Sequence, residues 1–216
     1  PICTRRDMQA KRLPAFSAGG FASSSGSTGE PVKVPKNRET ALWHTATNIR
    51  EIVWRGWKGC NSIASIHAAV KKPSRANGWP KQYFPLGDIS GTVYSHPFEG
   101  DIQGFLDKVN PHYVHTFPSI WKRIDTSKLT NLIDVKTAGE PGATCYSSEE
   151  AGMIGITCPD NPDVYHVMEN IIVEIIDGEI IVTDTVNLTF NGMLLETEVN
   201  SRPAIVAEPF RLLIDM

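Results

Sequence analysis

The chain has 216 residues, 41% hydrophobic and 21% charged, with a formal net charge of −3. This is ordinary globular composition, long enough for one sizeable core or two small ones, and it excludes a disordered polyelectrolyte. The weak negative charge and the shortness of the basic clusters "TRRD" and "VKKPSR" argue against a nucleic-acid partner.

No apolar run approaches the roughly 20 residues needed to cross a bilayer, so no membrane partner is expected either. Four widely spaced cysteines, Cys3, Cys60, Cys145 and Cys158, suit reduced thiols in a cytoplasmic protein.

In chain order, Thr4 ahead of "RRDMQA" reads as a helix N-cap. The Ser/Gly stretch 17–30 then breaks all periodicity. From Glu39 to Trp57, the residues Leu42, Ala46, Ile49, Ile52, Val53 and Trp57 recur at helical steps. They predict one amphipathic helix closed by Gly59. "NSIASIHAAV" reads as a short buried strand, "DIQGFLDKVNP" as a helix stopped by Pro111, and "HYVHTF" as a strand. "PSIWKRI" begins a helix with Pro118 in its first turn, and "LTNLIDVKTAG" ends in an apolar strand. In "IIVEIIDGEIIVTDT", two β-branched runs flank Asp177-Gly178, a hairpin signature. Early alternation of strands and helices followed by a hairpin predicts a mixed α/β fold. The tail 188–216 reads either as a small separate lobe or as the last strands of the same domain.

Two segments carry chemistry. Ser24, Ser25, Gly26, Ser27, Thr28 and Gly29 stand shortly before Lys33. Glycines let successive N–H groups converge on an anion, and hydroxyls and a lysine complete a phosphate loop. The same composition suits a flexible linker, although the extended "EPVKV" that follows favours the loop. The second segment, residues 137–155, begins at the end of an apolar strand, where open α/β sheets place ligands. Tyr146 could cover a purine, and Glu149 and Glu150 have the chemistry of magnesium ligands. Taken alone, the segment also reads as a polar loop with two solvated glutamates.

Together with "SSGSTGEPVKV", "AGEP" and "YSSEEAG", the order of "PICTRRDMQ", "HTFPSIWKRI" and "GITCPDNPDVYHVMENIIVEIIDGEIIVTD" resembles the adenylate-forming enzymes, and more narrowly phenylacetate–CoA ligase and its relatives. The resemblance covers residues 1–186. It implies mixed sheets flanked by helices, as in the large N-terminal AMP-binding domain of that superfamily. Residues 1–187 would be its core, and 188–216 a remnant of the domain end or a C-terminal lobe.

Carried over by residue, Ser25, Gly26, Ser27, Thr28 and Gly29 would hold the ATP phosphates with Lys33 nearby. Ala138, Gly139, Glu140 and Pro141 would line the adenine pocket, with Tyr146 on the base and Ser147 and Glu149 beside it. Glu150 would bind Mg²⁺, and Thr28, Lys33 and Glu150 would form the catalytic set. Tyr113, His115, Phe117 and Pro118 would face a carboxylic acid, and their aromatic character suits an aryl acid. The implied reaction forms an acyl-adenylate and passes the acyl group to a thiol such as coenzyme A. An amine or a carrier protein as acceptor, or a non-catalytic nucleotide-binding protein on the same fold, are the alternatives. A homodimer is compatible with either. Cys158 and His166 are half of a zinc site, or else a buried thiol and a hydrogen-bonded imidazole. His44, His67 and His96 read as structural or surface residues.

The sequence departs from the family pattern in five respects. Ser147 replaces a glycine, and Glu149 replaces a Ser or Thr, so that either glutamate could face the metal. The helical insertion expected between Pro141 and Tyr146 is missing, as are the ribose-binding aspartate after "IVTDT" and an equivalent of the C-terminal lysine.

Overall fold

The computed structural model describes residues 38–176 and 179–186, together with the strand segments 21–23, 33–35, 193–195 and 211–213. Two compact units divide the chain: residues 48–145 form one, and residues 1–47 with 146–216 form the other. Strands β1 (Phe21–Ser23) and β2 (Lys33–Pro35) pair antiparallel and bracket residues 24–32. The predicted extended stretch at "VKV" is thus a strand, with Val34 fully buried. The N-cap expected at Thr4 and the phosphate-loop residues Ser25 to Gly29 lie outside the described residues.

Helix α1 (Arg38–Trp54) is shorter than its periodicity predicts, and it turns a different face inward. It ends at Trp54, and the left-handed residue is Gly56 (φ 68°) rather than Gly59. Leu42 and Val53 are each 60% exposed, whereas Thr40, Thr47 and Glu51 are buried. Burying polar side chains is tolerable only when they are partnered. The Thr47 hydroxyl donates to the carbonyls of Trp43 and His44, both at 3.1 Å, and Glu51 is neutralised by cations described below.

The unit of residues 48–145 is a five-stranded sheet built from β3 (Ile63–Ile66), β4 (Ser74–Asn77), β5 (Thr92–His96), β6 (Tyr113–Thr116) and β7 (Asp134–Thr137). Its spatial order is β4-β5-β3-β6-β7. The last four strands run parallel, and β4 is an antiparallel edge. "NSIASIHAAV" is therefore the central strand. Neither β4 nor β5 was predicted; β4, with every residue exposed, offers no apolar signal.

One face of the sheet packs on helices α2 (Ile102–Val109) and α3 (Pro118–Trp121) through Ala64, Ile66, Ile102, Leu106, Val114 and Ile120. Asp101 caps α2 by accepting from the Gly104 N–H at 2.8 Å. Asn110, in the left-handed conformation, closes that helix just before Pro111. On the opposite face Trp57, Trp79 and Tyr113 form an aromatic core, with the Trp57 and Tyr113 rings stacked at 4.5 Å.

In the other unit, β8 (Cys145–Ser148), β9 (Gly152–Thr157), β10 (Val164–Val167) and β14 (Arg211–Leu213) form one sheet. The predicted hairpin is present as β11 (Ile171–Ile176) and β12 (Glu179–Asp184), extended into a meander by β13 (Met193–Leu195). Ile176 pairs with Glu179, so the connection is the two residues that the Asp-Gly signal specifies. Both strands from the 188–216 stretch pair with earlier strands, β13 with β12 and β14 with β10. Among the described residues no helix is long and apolar enough to cross a membrane.

Candidate active site

The site-forming segment of the 48–145 unit starts where β7 ends. Thr137 and Thr144 exchange bonds: each backbone N–H donates to the other's hydroxyl oxygen at 2.9 Å. Ala138 then bridges to Cys145, so residues 139–143 form a tight closed loop. Gly139 and Gly142 sit at φ 81° and 76°, which disfavours side chains, and a Cβ on Gly139 would lie 3.1 Å from the Phe117 ring. The chain can therefore pass directly from β7 to β8 without the helical insertion that the family pattern leads one to expect.

Glu140 is occupied within the protein. Its two carboxylate oxygens accept from the Ser119 N–H and hydroxyl, each at 2.7 Å, at the start of α3. The loop is thereby tied to the Phe117-Pro118 turn. Pro141 is exposed and Ala138 half-buried.

Beneath the loop lies an ionic network that the sequence reading missed. Lys136 pairs with Glu51, both nearly inaccessible. Arg55 reaches Glu51 at 3.0 Å, Asp134 at 3.2 Å and the Thr144 carbonyl at 3.3 Å, while Trp57 Nε1 donates to Asp134 at 2.7 Å. Each charge has an opposite charge, and Arg55 and Asp134 have further hydrogen bonds, the condition under which buried ions persist.

The expected acid-facing residues divide. Tyr113 is a core residue: besides stacking on Trp57, its hydroxyl accepts from the Lys58 N–H at 2.9 Å and from Asn61 at 3.0 Å. His115 instead meets His67, read from sequence as structural or surface; their ring nitrogens lie 3.2 Å apart and the ring centroids 4.4 Å. Phe117 stands edge-on to His67 at 6.4 Å, and Pro118 is buried at the start of α3. Burial and the Lys136 charge lower the pKa of both imidazoles, that of His115 well below its ordinary value, so the pair is neutral near pH 7. His67 closes β3 much as Phe117 closes β6. No local signal marks that similarity, because it depends on the two strands being adjacent.

In the other unit, Tyr146 lies edge-on to Tyr165 at 6.4 Å, and burial raises the pKa of its hydroxyl. Ser147 and Glu149 are exposed and Glu150 is half-buried in the turn between β8 and β9, where the Ala151 N–H donates to the Ser148 hydroxyl at 3.0 Å. The paired carboxylates suit a hard cation such as magnesium by their donor chemistry. Cys158 is buried and His166 lies on β10, but among the described residues no group of three or more His, Cys, Asp or Glu could hold a metal. The zinc reading is thus unsupported. Of the phosphate-loop set, only the backbone of Lys33 is described, paired with Ser23.

These sheets and helices form a mixed α/β fold similar to that of solved AMP-forming acyl-CoA ligases. Among solved structures, 2-hydroxyisobutyryl-CoA ligase in complex with 2-HIB-AMP and CoA, in the thioesterification state, superposes with a TM-score of 0.66 at 13% identity, over 99% of this chain and 57% of that one. An acyl-CoA synthetase (AMP-forming)/AMP-acid ligase II-like protein from Dyadobacter fermentans gives 0.53 at 12% identity, covering 88% and 63%. A long-chain-fatty-acid-CoA ligase from Archaeoglobus fulgidus gives 0.53 at 13%, covering 90% and 47%. The chain thus spans between about half and five-eighths of these enzymes' lengths. No family profile and no curated protein sequence matches it.

Proposed function

We propose that this chain belongs to an AMP-forming acid–thiol ligase of the phenylacetate–CoA ligase type, which activates an aryl acid with ATP and transfers the acyl group to coenzyme A. The observation that carries this reading is the Ala138–Pro141 turn at the carboxyl end of β7, on a fold shared with acyl-CoA ligases and in a chain whose other segments follow that family's order. In it, Ser25 to Gly29 and Lys33 hold the phosphates, the backbone of 138–141 and the ring of Tyr146 hold the adenine, and Glu150 or its neighbour Glu149 holds magnesium. Bound there, the metal supplies charge neutralisation on the departing pyrophosphate. The acid's carboxylate attacks the α-phosphorus, pyrophosphate leaves, and the thiol then displaces AMP. Orientation and electrostatic stabilisation do the catalysis, so no covalent nucleophile on the protein is required.

The test is acid-dependent ATP–pyrophosphate exchange over a panel of carboxylic acids, followed by identification of the thioester. Absence of exchange with every acid overturns the reading. A second reading, nucleotide binding without turnover, is favoured by the absence of the ribose-binding aspartate. Calorimetry with ATP alongside the exchange assay separates the two.

A further inference from the structure

The sheet face that carries the aromatic core changes character along its strands. Val93, Ile63 and Tyr113 form one cross-strand row against Trp57 and Trp79, continued on β7 by Asp134. Two residues on, Ser95, Ser65, His115 and Lys136 form the next row, partnered strand to strand from β5 to β7. Cross-strand partners project from the same face, so this row is polar across four strands. It lies toward the carboxyl ends of the parallel strands, where open α/β sheets take ligands.

The row has hydrogen-bonding capacity that the protein does not use. Ser65 and Ser95 are half-buried, and neither makes a side-chain hydrogen bond among the described residues. His115 donates or accepts at Nδ1 toward His67, but its Nε2 is buried without a partner. An unmet buried polar atom calls for a physical reason. The row also lacks uncompensated charge: Lys136 is held by Glu51, and Arg55 by Glu51 and Asp134.

We propose that the acid activated by this chain carries a hydroxyl or similar neutral hydrogen-bonding group remote from its carboxylate, and that Ser65, Ser95 and the His67–His115 pair read it. The proposal rests on the acid-activation reading above and narrows its substrate class. An unsubstituted acid leaves the two hydroxyls and the imidazole pair unanswered. A second carboxylate finds no free cation in this row, where Lys136 is already paired. A hydroxyl can both donate and accept, matching serine hydroxyls and neutral imidazoles.

The experiment is the exchange assay on the full chain with matched acids: benzoate against hydroxybenzoates, phenylacetate against hydroxyphenylacetates, butyrate against hydroxybutyrates, and terephthalate as the diacid. In at least one pair the hydroxy acid should exceed its parent in kcat/KM by about tenfold or more, with terephthalate below both. Ser65→Ala and His67→Phe should each pull that ratio toward unity. Because it is a ratio within one preparation, it does not depend on the fraction of folded protein. Parent acids matching or exceeding all their hydroxy forms, or a ratio unmoved in both variants, overturns the proposal while acid activation stands. No exchange with any acid overturns both.

Discussion

Thr137 and Thr144 hold each other reciprocally, side chain to backbone in both directions at 2.9 Å. This is how the end of β7 is joined to the start of β8 across so short a loop. Replacing Thr144 by Val removes one acceptor and leaves the Thr137 N–H without its partner. A loss of about 1–3 kcal/mol is expected from the unmet donor. Urea unfolding of the variant measures it; an unchanged midpoint would show that the exchange is ornamental.

The Glu51–Lys136 pair should be more costly to break. Lys136→Met leaves Glu51 buried with Arg55 as its remaining cation, and a loss of about 3 kcal/mol, the low end for breaking a buried pair, follows because Arg55 still offsets part of the charge. The double change Glu51→Leu with Lys136→Met should recover part of that loss. Denaturant titrations of the two single variants and the double variant make the cycle; strict additivity would argue against coupling.

His67 and His115 set a pH dependence. Both folded pKa values lie below the ordinary 6.5, so the unfolded chain binds protons more readily. Their contribution to stability is complete above about pH 6.5 and is lost as pH falls below it toward the depressed folded values. His115→Phe should flatten that part of the stability–pH curve. Urea midpoints taken across the acid side provide the check, and an unaltered slope would contradict the assignment.

Glu140 is expected to act through Ser119. Glu140→Ala should cost about 1 kcal/mol as a lost helix cap, while Glu140→Gln, which keeps an acceptor for the Ser119 N–H, should retain ATP affinity by calorimetry within about twofold. Sharp loss of nucleotide binding in the glutamine variant, with the fold intact, would instead place the carboxylate on the ligand.

For the proposed metal site, Glu150→Ala should abolish magnesium-dependent exchange while lowering stability, read by urea unfolding, by less than about 1 kcal/mol, since loop carboxylates rarely contribute much stability. Normal turnover would transfer the role to Glu149.

The elements legible in the sequence were those whose signal is local. β3, β6 and β7 announce themselves as apolar runs, and the β11–β12 hairpin by Asp177-Gly178 between β-branched residues. The face of α1 was not legible. Its inward residue Glu51 is acceptable in a core because Arg55 and, 85 residues further along, Lys136 meet it there. The same limit hid His67, whose partner His115 arrives 48 residues later, and placed Tyr113 with a ligand when its hydroxyl is satisfied by Lys58 and Asn61. Pairings across the sheet, rather than propensities along it, decide which polar residues stay inside.

The closed loop after β7 has one more implication. Since residues 137 and 144 are fastened to each other, the backbone register on either side is fixed whatever lies between. The stretch 139–143 is therefore a natural graft point: extra chain inserted there could grow outward as a hairpin or helix while the strands that flank it keep their places.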